Sequence, residues 1–157
     1  GGLALGLLAI AEMRITGSGY SVISGAMRGD LGMEEMLELA LLKILATSLT
    51  ISSGGSGGVF APSLFIGATL GGFLGSLYSS LLPWLDIQPT AYTVIGMASF
   101  FAGAAKVPLT SVIMTAEMTG GYTFMVPVTF ASAVAYILTG DISIYEKQVA
   151  DREHRPA

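Results

Sequence analysis

The residues with the types and spacing to do chemistry are Ser52-Ser53-Gly54-Gly55-Ser56-Gly57-Gly58-Val59-Phe60-Ala61-Pro62. Four glycines and three serines fill the first seven positions. Glycine in a helix interior costs about 1 kcal/mol relative to alanine, so one helix must stop here and another restart near Val59. The first turn of the new helix leaves backbone N–H groups without internal acceptors, and the helix dipole puts partial positive charge on them. An anion can fill that place. Gly57 and Gly58 let a ligand approach the backbone closely, and Pro62 sits in the first turn, where its missing N–H does little harm. An anion held without lysine or arginine is bound weakly enough to leave again. A kink or a flexible loop is the plainer reading of the same run. A nucleotide-phosphate loop has little support: Gly-x-x-x-x-Gly-Lys-Ser/Thr is absent, and the first lysine after the glycines is Lys106.

Other reactive groups are scarce. The chain has no Cys, its one His is His154 near the end, and no paired carboxylates lie within an apolar segment. Hydrolytic and redox enzyme chemistry therefore has no support, and no protein cofactor or metal is implied. A net charge of −4 argues against a nucleic-acid partner.

The elements that must position the Gly-rich break belong in lipid. Charged residues make up 11% of the chain, against roughly 25% in ordinary soluble domains, and the mean hydropathy is +0.71. Nothing ionisable lies between Lys43 and Asp86, between Asp86 and Lys106, or between Glu117 and Asp141. A bilayer core about 30 Å thick takes about 20 helical residues. The first of these stretches is long enough for two passes and the others for one each, which makes the expected class all-α, polytopic and integral to a membrane. The start has no initiator Met and no signal-peptide pattern, so Gly1–Ile10 reads as the middle of a membrane helix and the beginning of the protein is expected to be missing. At the other end, residues 141–157 read as an aqueous linker. Lys147, Arg152 and Arg155 follow the last apolar segment, which places that end in the cytoplasm by the positive-inside rule.

Helices are expected near 1–13, 33–51, 60–82, 90–104, 108–118 and 123–139. Glu34, Glu35 and Glu38 precede Lys43, so the second helix should begin at the interface, its acids complementing the dipole. The 90–104 and 108–118 segments are too short to span, and Pro108 separates them. Interrupted segments of this kind serve where backbone lines a polar cavity. Ser63, Gly67, Gly71, Gly75 and Ser79 recur every fourth position on one helix face, which is a packing ladder for a neighbouring helix.

Gly58-Val59-Phe60-Ala61-Pro62 resembles the G-x-F-x-P motif of the CLC family of chloride channels and chloride/proton exchangers, and the serines and glycines before it are similar to that family's approach to the motif. Further landmarks follow in order. Ala105-Lys106-Val107-Pro108-Leu109-Thr110, Glu117-Met118-Thr119 and Pro127 resemble the paired helices of the family's dimer interface, and Ile144-Tyr145-Glu146 resembles the end of its last membrane helix. The resemblance implies that 1–140 is the C-terminal half of a CLC membrane domain, with broken or re-entrant helices forming the second of two inverted repeats, and that 141–157 ends the last helix and begins a cytoplasmic linker. It implies chloride as the bound and transported ion, held by the backbone amides of Val59 and Phe60 and by the Tyr145 hydroxyl, with Gly57, Gly58 and Pro62 supporting the motif. The implied partners are the bilayer of the cell membrane, the missing N-terminal half and a second copy in a homodimer; a regulatory domain after Ala157 is allowed.

Three further features are weighed against the same pattern. Glu117 lies in an apolar segment but matches no gating or proton-passing glutamate of the family, so a structural hydrogen bond to a neighbouring helix is expected. Lys106 sits at a helix break, where it either closes a helix end or attracts anions. Gly17-Ser18-Gly19-Tyr20 is superficially like the family's G-S-G-I-P motif but lacks its Ile and Pro, and reads as an extramembrane connection. The G-S-G-I-P loop, the loop carrying the gating glutamate and the exchangers' internal glutamate are absent from this chain. Half of an ion site is therefore missing, and channel cannot be told from exchanger. A noncatalytic membrane assembly module and another broken-helix transporter, carrying a small organic anion, stand as alternatives.

Overall fold

A computed structural model describes residues 2–55, 58–120 and 122–145. Within them the chain is all-α, with seven α-helices: α1 Gly2–Ala11, α2 Tyr20–Arg28, α3 Met33–Ser52, α4 Phe60–Leu81, α5 Pro89–Ala105, α6 Pro108–Thr119 and α7 Met125–Leu138. A 3-10 turn, Met13–Ile15, links α1 toward α2. Boundaries follow local chemistry. Glu35 reaches back to accept from the Gly32 amide, 3.1 Å away, and starts α3. Pro89 and Pro108 stand in the first turns of α5 and α6, where a missing N–H is harmless.

Packing centres on α4. Leu64, Phe65 and Ala68 of α4 are fully buried with Met97 of α5, Leu39 of α3, and Ile15 and Ile23 from the segment before them. The expected glycine ladder is the seam with α5. A Cβ on Gly67 would lie 2.6 Å from the Gly96 carbonyl oxygen, one on Gly75 2.7 Å from the Tyr92 Cβ, and one on Gly71 would collide with the Tyr92 carbonyl oxygen. Gly96 answers from the other side, its own Cβ meeting the Gly67 oxygen at 2.5 Å. Ser63, at the start of the ladder, is buried, and its hydroxyl donates to the Val59 carbonyl at 2.7 Å. Ser79, at the far end, is half-buried. Backbones this close exchange dispersion contacts that hydrocarbon, itself apolar, cannot undercut.

Two expectations change. Residues 20–28 form a helix where a connection was expected. Gly19, in the left-handed region at φ 71°, turns the chain into α2, and a Cβ there would enter the Phe65 ring. Val22, Ile23, Gly25 and Ala26 then pack inward. The Glu117 carboxylate lies on an exposed face, with no hydrogen bond from a neighbouring helix among the described residues. Lys106 does close a helix end. Its Nζ donates to the Tyr136 carbonyl at 3.1 Å and to Thr139 Oγ1 at 2.6 Å, at the C-terminus of α7.

Among the described helices, α4 is long and apolar enough to cross a membrane, with a mean hydropathy of 1.5 over its best window. α7 is apolar but shorter.

The seam predicts that Gly71→Leu destabilises the protein by roughly 1–3 kcal/mol or more, since overpacked sites strain backbone and rotamers. Gly6→Ala, with nothing within 4 Å of the added Cβ, should leave thermal unfolding in detergent unchanged or slightly raised. Equal midpoints for the two variants would show that the seam does not carry the fold.

Candidate anion site at a helix restart

The helix stops and restarts at the Gly-rich run. At the end of α3, the Gly55 amide donates to the Thr50 carbonyl and the Gly54 amide to the Ile51 carbonyl, each at 3.0 Å, with Gly54 at φ 77°. This is a Schellman closure, and it occupies the last carbonyls of the helix. Hydroxyls engage the carbonyls just before them. Thr50 Oγ1 donates to the Ala46 carbonyl and Ser53 Oγ to the Leu49 carbonyl, each at 2.7 Å, and Ser52 Oγ donates to the Ser48 carbonyl.

Helix α4 then begins at Phe60 with Val59 as its N-cap and no side-chain capping bond. The Val59 carbonyl is taken by the Ser63 amide at 3.1 Å. Pro62 is in the first turn and carries no N–H, which leaves the amides of Val59, Phe60 and Ala61 as the donors at this end. Val59 and Phe60 are half-buried and Gly58 is exposed. Gly57 lies outside the described residues.

Phe60 also borders a cavity of about 500 Å³. Gly58 and Pro62 lie beside it on the wall, and Thr47, Thr50 and Lys43 of α3 line another part. Gly17 and Ser18, from the segment that reads as an extramembrane connection, also line it, and apolar Leu5, Ile15, Ala46, Ile51 and Ala61 make up much of the remaining wall. Val59 and Tyr145 are not among the lining residues.

Tyr145 is 45% exposed and lies in a non-helical stretch, as residues 139–145 are throughout, so the described part of this segment does not continue the last helix. Glu146 and the basic residues after it fall outside the described residues. The neighbouring Ile144 amide donates to the Ala104 carbonyl at 2.9 Å. One turn earlier on α5, the Phe101 ring meets the Phe60 ring edge-on, 5.1 Å between centroids. The last turns of α5 thus hold both the start of α4 and the segment carrying Tyr145.

Lys43 is the feature that sequence reasoning missed. It is 3% exposed, the one buried charged side chain among the described residues. Its Nζ donates to the carbonyls of Ile15 at 2.7 Å and Gly17 at 2.8 Å and stands 5.0 Å from the Phe65 ring centroid. A lone lysine in an apolar stretch was the available signal. The turn that supplies those carbonyls is held by Arg14, which pairs with Glu12 through Nε at 2.8 Å and with Glu35 through Nη1. The Arg14 side chain, and next its amide, lower the Glu12 carboxyl from 4.5 to about 2. The same side chain, and next the Gly32 amide, hold Glu35 below its ordinary value.

The described residues thus form an all-α bundle in which α4, long and apolar enough to cross a membrane, starts beside a cavity. Residues 1–140 match the family described as voltage gated chloride channel, and the chain belongs to that family, the CLC channels and exchangers. It is 35% identical over 153 residues to a ClcB-like protein of Ralstonia nicotianae, covering 96% of this chain and 36% of that protein. Similarity extends to the voltage-gated ClC-type chloride channel ClcB of Salmonella typhimurium, 34% identical over 154 residues, 96% of this chain and 37% of the relative. The H(+)/Cl(-) exchange transporter ClcA of Vibrio parahaemolyticus is 32% identical over 149 residues, 93% and 32% respectively. The chain spans about a third of the length of these relatives. Members of this family are channels and transporters, not enzymes, and the chain is a membrane protein.

The Glu12 shift fixes a pH response. A folded-state value depressed to about 2 means that this contact adds stability above about 4.5, which is lost as pH falls toward about 2. Because these side chains are partly exposed, solvent screens the effect. The hydrogen-exchange protection of the Arg14 amide, which donates to Glu12 Oε1 at 3.1 Å, should fall across that range while the interior of α4 keeps its protection. Protection of Arg14 that persists at pH 2 would count against the clamp.

Proposed function

We propose that this chain is the second inverted repeat of a CLC membrane domain and supplies half of a chloride site, through the Val59 and Phe60 amides and the Tyr145 hydroxyl. The observation that carries this reading is the start of α4 at Phe60, whose N-cap Val59 makes no side-chain capping bond, within the Gly58-Val59-Phe60-Ala61-Pro62 motif. Partial charge on unsatisfied amides attracts a halide without the full charge that would trap it. A tyrosine O–H adds a neutral donor of the same kind. The scaffold shared by both parts, the last turns of α5, supports their joint use.

The remainder of the site lies on the other repeat, which carries the motifs this chain lacks. Together the two form a transport path for chloride in the cell membrane, with the end of this chain on the cytoplasmic side. A homodimer fits the outer faces of α6 and α7, where Leu109, Ile113, Val126 and Phe130 stand exposed on adjacent helices. Large exposed apolar side chains in register are what a partner helix or lipid covers.

In crystals of the full-length protein soaked in bromide, an anomalous peak is expected against the Val59 and Phe60 amides. Tyr145→Phe should weaken chloride binding about fivefold, since one neutral hydrogen bond contributes about 1 kcal/mol. Proteoliposomes of this chain alone should show no chloride-selective flux. Bromide located elsewhere, or an unchanged affinity in Tyr145→Phe, would remove the respective donors from the site, and selective flux from the lone chain would end the half-site reading.

A further inference from the structure

We propose that Lys43 is the electrostatic positioning residue of this site: a full positive charge, walled into the cavity beside the α4 start, that draws a partly hydrated monovalent anion into that cavity ahead of the amides. The inference rests on the chloride reading above and adds a residue and a compartment to it.

The first ground is charge. Burying an ammonium without compensation is costly, and buried charges are ordinarily paired. Among the described residues the ion pairs are Arg14 with Glu12, Arg14 with Glu35, and Arg28 with Asp30, so none of them neutralises Lys43. Its partners are dipoles and a ring: the Ile15 and Gly17 carbonyls and the face of Phe65. These satisfy two of three N–H donors, and among the described residues no carboxylate pairs with the charge. The second ground is space. Water occupies about 30 Å³ per molecule in the liquid, so a cavity of about 500 Å³ holds an anion together with much of its hydration shell. The third is placement. Lys43, Thr47 and Thr50 recur on one face of α3 toward the cavity, and Gly58, Phe60 and Pro62 form its wall at the α4 start. A charge bordering a watery cleft with low-dielectric walls focuses its field there and raises the local concentration of counter-ions.

Lysine is suited to this arrangement because it stands back. Both carbonyls hold the ammonium on the cavity wall, so the anion is attracted without a bidentate grip of the kind arginine makes.

The test uses the full-length protein in nanodiscs, with chloride titrated by calorimetry, bromide located by anomalous diffraction, and thermal unfolding recorded without halide. Lys43→Gln keeps a polar N–H group, one bond shorter than the ammonium, but loses the charge; Lys43→Arg keeps the charge. Lys43→Gln should lower chloride affinity by about tenfold or more, the effect of a full charge at reduced dielectric, with little change in the unfolding midpoint. Lys43→Arg should restore most of it. Unchanged affinity in Lys43→Gln, with bromide still on the Val59 and Phe60 amides, overturns this inference and leaves the chloride reading standing. No bromide at those amides in the unaltered protein overturns the chloride reading and this inference with it. Loss of affinity together with a fallen unfolding midpoint that Lys43→Arg does not recover would make Lys43 a structural strut, and the inference would fail.

Discussion

Contact between the backbones of α4 and α5 is the constraint on which the rest of the structure depends. A helix N-terminus attracts an anion only along the line in which its amides point, so its worth as a site is the worth of its aim. Gly67, Gly71 and Gly75 let α4 lie against Gly96 and its neighbours so closely that added methyl groups would meet main-chain atoms at 2.6 Å or less in two of the three places. Such a seam has no slack in rotation or in axial shift. It seats Phe60 on Phe101 at one end, and the same turn of α5 offers the Ala104 carbonyl to Ile144. Orientation of the α4 start is thus settled by packing some turns away from it, on a rigid element rather than on the glycines themselves.

The two helix ends that face one another across the Gly-rich run are treated oppositely. Carbonyls at the end of α3 would repel an anion, and two of them are occupied: Ile51 by the Gly54 amide, and Thr50 by the Gly55 amide and the Ser53 hydroxyl. Among the described residues the start of α4 receives no such treatment: its N-cap is Val59, which makes no side-chain bond, although Ser, Thr, Asn and Asp are the ordinary caps. A serine at position 59 would have closed the amides with its own oxygen, whereas valine cannot.

How legible this was from sequence varied with the physics behind each element. The α4 start and the ladder from Ser63 were readable because they rest on local rules: glycine cost, proline at a helix start, four-residue spacing. Helix α2 was not, because Tyr20–Arg28 is short and contains Ser21, Ser24 and Gly25, and what makes it helical is burial of Val22 and Ile23 against α4. Glu117 misled for a related reason. An acid in an apolar run suggests an internal partner, and this one faces outward on α6, toward whatever covers the α6 and α7 faces. Nor could the expected role of Tyr145 be placed by periodicity, since the described part of its segment is not helical and meets α5 through bonds such as that of the Ile144 amide to the Ala104 carbonyl. Family resemblance was the only basis for that residue.

Lys43 exposes a flaw in the premise that weak anion binding requires the absence of lysine. What weak binding requires is that no full charge touch the ion. In the proposed site the contact and the charge fall to different groups: the amides at the α4 start, and an ammonium on α3 that donates to the Ile15 and Gly17 carbonyls. The linker supplying those carbonyls is pinned at the α3 start by Arg14 and Glu35. Held in place by carbonyls, the ammonium cannot swing out to meet the ion, yet its field still reaches the cavity, because field falls with distance far more slowly than a hydrogen bond does. Attraction and release, which conflict when one group provides both, become compatible once the charge is tethered apart from the donors that do the binding.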